Sequence, residues 1–216
     1  GSRMFANATL LSRRPVRATP CLDILPDAAR AGTGLGLALG RVHELCGPSR
    51  HRMALWLAAQ TRGNVMWILP DWTNEHLSPC GAAPYVDPAR IIMVHPDRED
   101  DALWCAEETL RAGSVALVVV ALPALPGLPP VRRMHLAAEA GSQKGSVLPL
   151  GLLLTPGMGG AQGVESRWHL APDYKGQPGA WRLSRLRARM APEQSWQVAH
   201  CRGQNLPRIS HRLEAA

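Results

Sequence analysis

The sequence predicts an α/β domain: a mostly parallel twisted sheet flanked by helices, with antiparallel strands at its C-terminal end. Three observations predict it. Val115–Leu122 is an unbroken β-branched and aliphatic run, the pattern of a strand buried on both faces. Apolar strand-like runs alternate with helix-like segments from Arg41 to Leu154, which favours parallel pairing with helical crossovers. From Val164 onward the chain alternates apolar and polar residues between turns, as antiparallel strands do.

At 216 residues the chain is long enough for one domain with its own core. Residues 1–33 are rich in Arg, Pro and Ala and read as an N-terminal arm or docking segment, and Gly34–His200 as the core. A strand is expected around Arg41–Cys46, followed by a glycine turn and a helix near Arg50–Thr61 that is apolar on most faces. Asn64–Leu69 is a second strand, Pro70–Pro88 an irregular stretch and Arg90–Val94 a third strand. Asp97 is placed as the cap of a helix over Glu99–Arg111, with acids in its first turn and Gly113 at its end. Pro129-Pro130 opens another helix, expected to stop at Gly141. Leu148–Leu154 is a buried strand, and Val164–Ala171, Trp181–Met190 and Ser195–His200 complete the set. The basic segment 201–216 reads as a tail, either disordered or folding on contact with a partner.

The most informative motif is Gly47-Pro-Ser-Arg-His-Arg-Met-Ala. It has the frame of a nucleotide-binding P-loop, which would carry Gly-Lys-Ser/Thr where this chain has Arg52, Met53 and Ala54. Without the lysine and the hydroxyl, the phosphates lose a cation and magnesium loses a ligand. No nucleotide, metal or other cofactor is therefore expected, and no ATPase chemistry. Scattered histidines (His43, His135, His169, His200) lack metal-ligand spacing, and Ser114, Ser166, Ser184 and Ser195 lack a nucleophile-elbow context.

The net charge of +7 and pI near 9.8 fit an acidic partner such as nucleic acid, and equally an arginine-rich soluble protein. Arg185, Arg187 and Arg189 alternate with Leu186, Ala188 and Met190, so a regular strand would set three guanidinium groups on one face. Such a stripe contacts phosphates with little sequence preference; the alternative is a solvated outer face. Arg132 and Arg133 extend the patch if the two elements are neighbours. Arg50 lies at a helix N-terminus, where amides and dipole favour anions, while Arg52 is expected to fill the former nucleotide cavity. Five cysteines without a CxxC pair suit reduced thiols in the cytoplasm. No membrane span or signal peptide is visible, and Gly1-Ser2 reads as a cloning scar.

Several local sequences resemble the RecA-like recombinase core, and within it the ImuA family of bacterial SOS mutagenesis accessory proteins. They are Leu39-Gly-Arg-Val-His-Glu-Leu-Cys-Gly-Pro, Asp101 through Val120, Arg132-Arg-Met-His-Leu-Ala-Ala-Glu-Ala-Gly, Pro149-Leu-Gly-Leu-Leu-Leu, and Ser166-Arg-Trp-His-Leu-Ala-Pro with Trp181-Arg-Leu. The resemblance spans about Gly34 to His200. An active recombinase ends its buried strand with a metal-linked aspartate; here that position is Ala121. Asp71 stands near the place of the water-orienting carboxylate. The segments matching the mobile DNA loops are short (Pro126–Pro130) or uncharged (Thr155–Val164). The resemblance implies a RecA-like P-loop core and a non-catalytic accessory factor of translesion synthesis. Its implied partners are an ImuB-like Y-family polymerase homologue, an error-prone C-family DNA polymerase, RecA and non-specific DNA. A SulA-like inhibitor of cell division, binding FtsZ, is the alternative, and an ATP-dependent DNA-repair recombinase is a third.

Overall fold

A computed structural model describes residues 20–27, 34–73, 75–174, 179–189, 191–201 and 203–213. The rest of the expected arm (1–19 and 28–33), Met190, residue 202 and residues 214–216 of the expected tail lie outside them. One nine-stranded mixed sheet organises the domain. Its strands are β3 (Val42–Cys46), β4 (Val65–Ile68), β5 (Ile91–Val94), β6 (Leu117–Ala121), β7 (Leu150–Leu154), β8 (Ser166–Pro172), β9 (Ala180–Ala188), β10 (Gln194–His200) and β11 (Pro207–Leu213). The order is β11-β10-β9-β8-β3-β7-β6-β4-β5. Every pair from β5 to β8 is parallel, and the pairs from β8 to β11 are antiparallel.

Each face carries its own core. On one face the helix α1 (Arg50–Ala59) buries the consecutive residues Met53–Ala58 against Leu45, Val119, Leu152 and Trp168. On the other, α3 (Glu99–Ala112) and α4 (Leu128–Lys144) cover Val42, Val118, Val120 and Leu153. All five residues of β3, of β6 and of β7 are buried, which is why β6 and β7 are continuously apolar in sequence. A four-residue helix, α2 (Pro79–Ala82), interrupts the irregular stretch after β4.

Four expectations change. Residues 20–27 belong to the domain: β1 (Cys21–Asp23) pairs with β2 (Gly36–Ala38), and Ile24 and Leu25 are fully buried in the α1-side core. Asp97 does not cap α3; Arg98 holds the cap position with no side-chain bond, while Glu99, Asp100 and Asp101 complement the helix dipole. Helix α4 runs past Gly141, because that glycine serves a close approach and not a stop. A Cβ on Gly141 would stand 2.0 Å from the Leu110 carbonyl oxygen of α3. Finally, Pro207–Leu213 is no tail but the edge strand β11, paired with β10 and packing Ile209 onto the core. Its backbone satisfies the otherwise open edge of β10.

Candidate functional site

Strand β3 lies between β7 and β8, where chain connections turn to opposite sides, and its carboxyl end is where open α/β sheets bind ligands. Only Gly47, Pro48 and Ser49 separate β3 from α1. The helix therefore begins before the P-loop frame is complete, and Met53 and Ala54 fall inside it, fully buried. The loop's donors are spent internally. Gly47 N–H donates to Gly157 O at 2.9 Å, Ser49 N–H to Leu170 O at 3.1 Å and Arg50 N–H to Gly47 O at 3.3 Å. Pro48 has no N–H. Gly47, at φ +89°, faces His169 so closely that a Cβ would lie 2.7 Å from its Nε2.

Arg52 does not fill this region. It lies exposed on α1, donates to Tyr85 Oη at 3.0 Å and stacks its guanidinium 5.4 Å from the Trp181 ring centre. Arg50 turns back to the loop: it donates to Gly47 O at 3.3 Å and pairs with Glu75. His51 meets the other Glu75 oxygen at 2.7 Å. Burial lowers the pKa of His51, and the Glu75 bond opposes that shift. The cation at the helix N-terminus thus has a carboxylate partner already. A cleft of about 250 Å³ beside it is lined by Arg50, Trp72, Thr73, Glu75, Ala121 and Pro156, among others. Ala121 ends β6 at this cleft. Asp71 is not among its lining residues and instead lies 3.3 Å from His95 Nδ1.

Glu44, which sequence reasoning did not single out, is a fully buried and multiply bonded carboxylate of β3. It accepts from Thr155 Oγ1 at 2.6 Å, Gly160 N–H at 2.8 Å, Ala161 N–H at 3.0 Å and Arg167 Nε. Glu44 therefore fastens the glycine-rich segment after β7 to the sheet, alongside the Gly47 N–H bond to Gly157 O and the Arg167 bond to Ala161 O. An acid inside an apolar strand (Val42-His-Glu-Leu-Cys) was the signal available for it, since a buried carboxylate requires partners.

The arginine stripe of β9 is divided by its register. Arg187 pairs opposite Arg167, but Arg185 pairs opposite Trp168, so Leu186 is an extra residue in β9. A bulge of this kind sends flanking residues to opposite faces. Arg185 is consequently buried at 6% exposure, against Trp168 and Trp196, while Arg187 and Arg189 are exposed. Arg185 and Arg187 do not share a face.

Arg189 does meet Arg132. Both line a surface groove of about 320 Å³ with Arg41, Leu128, His135 and Glu165, among others. Arg41 pairs with Glu139 at 3.6 Å. Leu128 and Leu136 stay 46% and 57% exposed at its rim. Arg133 points elsewhere, to Glu107 at 3.1 Å.

His43 is a core histidine. Nε2 lies 3.0 Å from Ala38 O, which only accepts, so the ring proton sits there and Nδ1 accepts from Ser166 Oγ at 2.6 Å. Ser166 in turn accepts from the Trp168 indole at 2.7 Å. Burial lowers the His43 pKa to about 4. Cys46 is pushed up to about 12, chiefly by burial, and remains a thiol. Among the described residues no group of His, Cys, Asp and Glu could hold a metal ion, and no helix is long and apolar enough to cross a membrane. No model of a known protein family matches the chain, and no curated protein matches it either.

Proposed function

We propose that the chain is a RecA-like accessory factor of SOS-induced translesion synthesis, of the ImuA type, acting through protein contacts and not through ATP turnover. The observation that carries the reading is the loop between β3 and α1, whose amides are bonded to the chain's own carbonyls. Phosphoryl transfer depends on positioning and charge neutralisation, and here Met53, Ala54 and Ala121 replace the lysine, hydroxyl and aspartate that supply them. The sequence resemblance and the position of β3 between β7 and β8 support a RecA-like core with a degenerate P-loop. The partners are an ImuB-like Y-family homologue, an error-prone C-family polymerase and RecA, in the cytoplasm. The groove that joins Arg132 and Arg189 is the candidate surface for sequence-blind DNA contact.

Two measurements test this. Calorimetry with ATP and magnesium should give no micromolar binding, and Met53→Lys should not create turnover. Affinity capture from DNA-damaged cells should recover the polymerase-related partners. Recovery of FtsZ in their place would move the reading to a SulA-like division inhibitor, and measurable ATP hydrolysis would overturn the non-catalytic claim.

A further inference from the structure

Arg185 carries a buried charge that no described carboxylate pairs with. It is 6% exposed, and it takes part in none of the ion pairs among the described residues. Nε donates to Pro192 O at 3.0 Å and Nη1 to Gly34 O at 2.9 Å. A guanidinium has five N–H donors, so the rest are not used by any described residue. The rings of Trp196 and Trp168 lie 5.2 and 5.6 Å from its Cζ. They supply a weak partner for the cation, whereas buried charges are ordinarily paired as well as hydrogen-bonded.

Arg185 lines a cavity of about 200 Å³ with Cys21, Ala38, His43, Ser166 and Trp168, under the β1–β2 hairpin. The neutral donors of that wall are committed: His43 to Ala38, Ser166 to His43 and Trp168 to Ser166. The positive charge of the cavity therefore comes from Arg185 and from Arg189, which also lines it. Desolvation lowers the pKa of Arg185, and Arg212 lowers it further; a bound anion would oppose both effects.

We propose that this cavity is a carboxylate-binding site, in which Arg185 receives the anion through the N–H donors that no described residue uses. Its volume lies below the roughly 300–1,000 Å³ of sites for drug-sized ligands, which suits a small acid or the side chain of an acidic residue. A planar guanidinium fork matches a carboxylate in shape and in charge. Glu165 also lines the cavity without forming an ion pair to Arg185, and its charge opposes an incoming acid. The proposal does not depend on the RecA-like reading, since it does not use the β3–α1 loop, although Glu165 and Arg189 also line the groove at Arg132.

The test titrates the full chain with acetate, with an end-blocked glutamate peptide and with inorganic phosphate, following the Trp168 indole N–H by NMR. At least one of the two carboxylates should shift that resonance saturably. Stronger binding of acetate identifies a free small acid, and stronger binding of the peptide identifies a partner's side chain. Arg185→Lys should weaken binding at least about tenfold, because it keeps the charge but loses the fork. Glu165→Gln, which leaves Arg185 in place, should tighten it, and Arg187→Ala should not alter it. The proposal is overturned if neither carboxylate saturates, if Glu165→Gln and Arg185→Lys both bind as the parent does, or if phosphate saturates where the carboxylates do not.

Discussion

The parallel half of the sheet and its antiparallel end treat an out-of-pattern residue differently. In β3, β6 and β7 every residue is buried, so a polar side chain there must be satisfied where it stands. Glu44 is the case in point, held by Thr155, two backbone amides and Arg167. In β9 the two faces differ, and one extra residue turns the chain beyond it to the other face. Arg185, in phase with Leu183 and Trp181, stays in the core, while Arg187 is turned out. Burial on both faces makes identity decisive, whereas burial on one face makes register decisive.

The largest expected effect breaks the parallel half. Val118 is fully buried beneath α3 and α4, and Val118→Asp places an unpaired carboxylate there, costing about 5 kcal/mol. Denaturant unfolding at neutral pH reads it; a near-native midpoint would show that β6 is not a strand buried on both faces. Glu44→Ala comes next. It strands Arg167, which is 17% exposed, and the N–H groups of Gly160 and Ala161, for a loss of about 3–4 kcal/mol. Hydrogen exchange at Gly160 and Ala161 should accelerate well beyond that of β10 in the same sample, and unchanged exchange would remove Glu44 as the clamp.

A smaller effect depends on pH. His43 has a pKa near 4 in the fold and about 6.5 in the unfolded chain, so the unfolded state takes the proton first. The stability from its neutral, buried ring is complete above about pH 6.5 and is lost as pH falls toward 4, by about 3 kcal/mol in all. His43→Gln removes that dependence, and its stability should fall less steeply than the parent's across the same window. Parallel profiles would mean that His43 is protonated in the fold.

The smallest effect sharpens the antiparallel side. If Arg132 and Arg189 contact DNA phosphates, replacing both with Ala should flatten the log–log salt slope of binding by about 1.4–1.8. Arg185→Gln should leave that slope unchanged, since its charge is buried. An unchanged slope in the double variant would return the groove to a solvated face.

Strand runs such as Val115–Leu122 and the helix of consecutive apolar residues after Arg50 were legible because burial on all sides leaves a compositional mark. The departure of Arg52, Met53 and Ala54 from the P-loop pattern was legible because residue identity alone decides it. The division of labour between Arg50 and Arg52 was not. It depends on Glu75, twenty-five residues away, and on Tyr85 and Trp181 drawing Arg52 along the outer face of α1. The strand at Pro207–Leu213 was hidden because an exposed edge strand is polar and looks like a tail.

The amino-acid sequence by itself determined the layered α/β architecture, the buried strands and the absence of the P-loop lysine and hydroxyl, since each depends on residue type and local spacing. Tertiary structure alone decided that the loop amides turn inward, that Glu44 fastens the glycine-rich segment, and that a bulge at Leu186 separates Arg185 from Arg187. These rest on contacts between residues far apart in the chain, and a single unpaired residue in a strand alters its face without altering its composition.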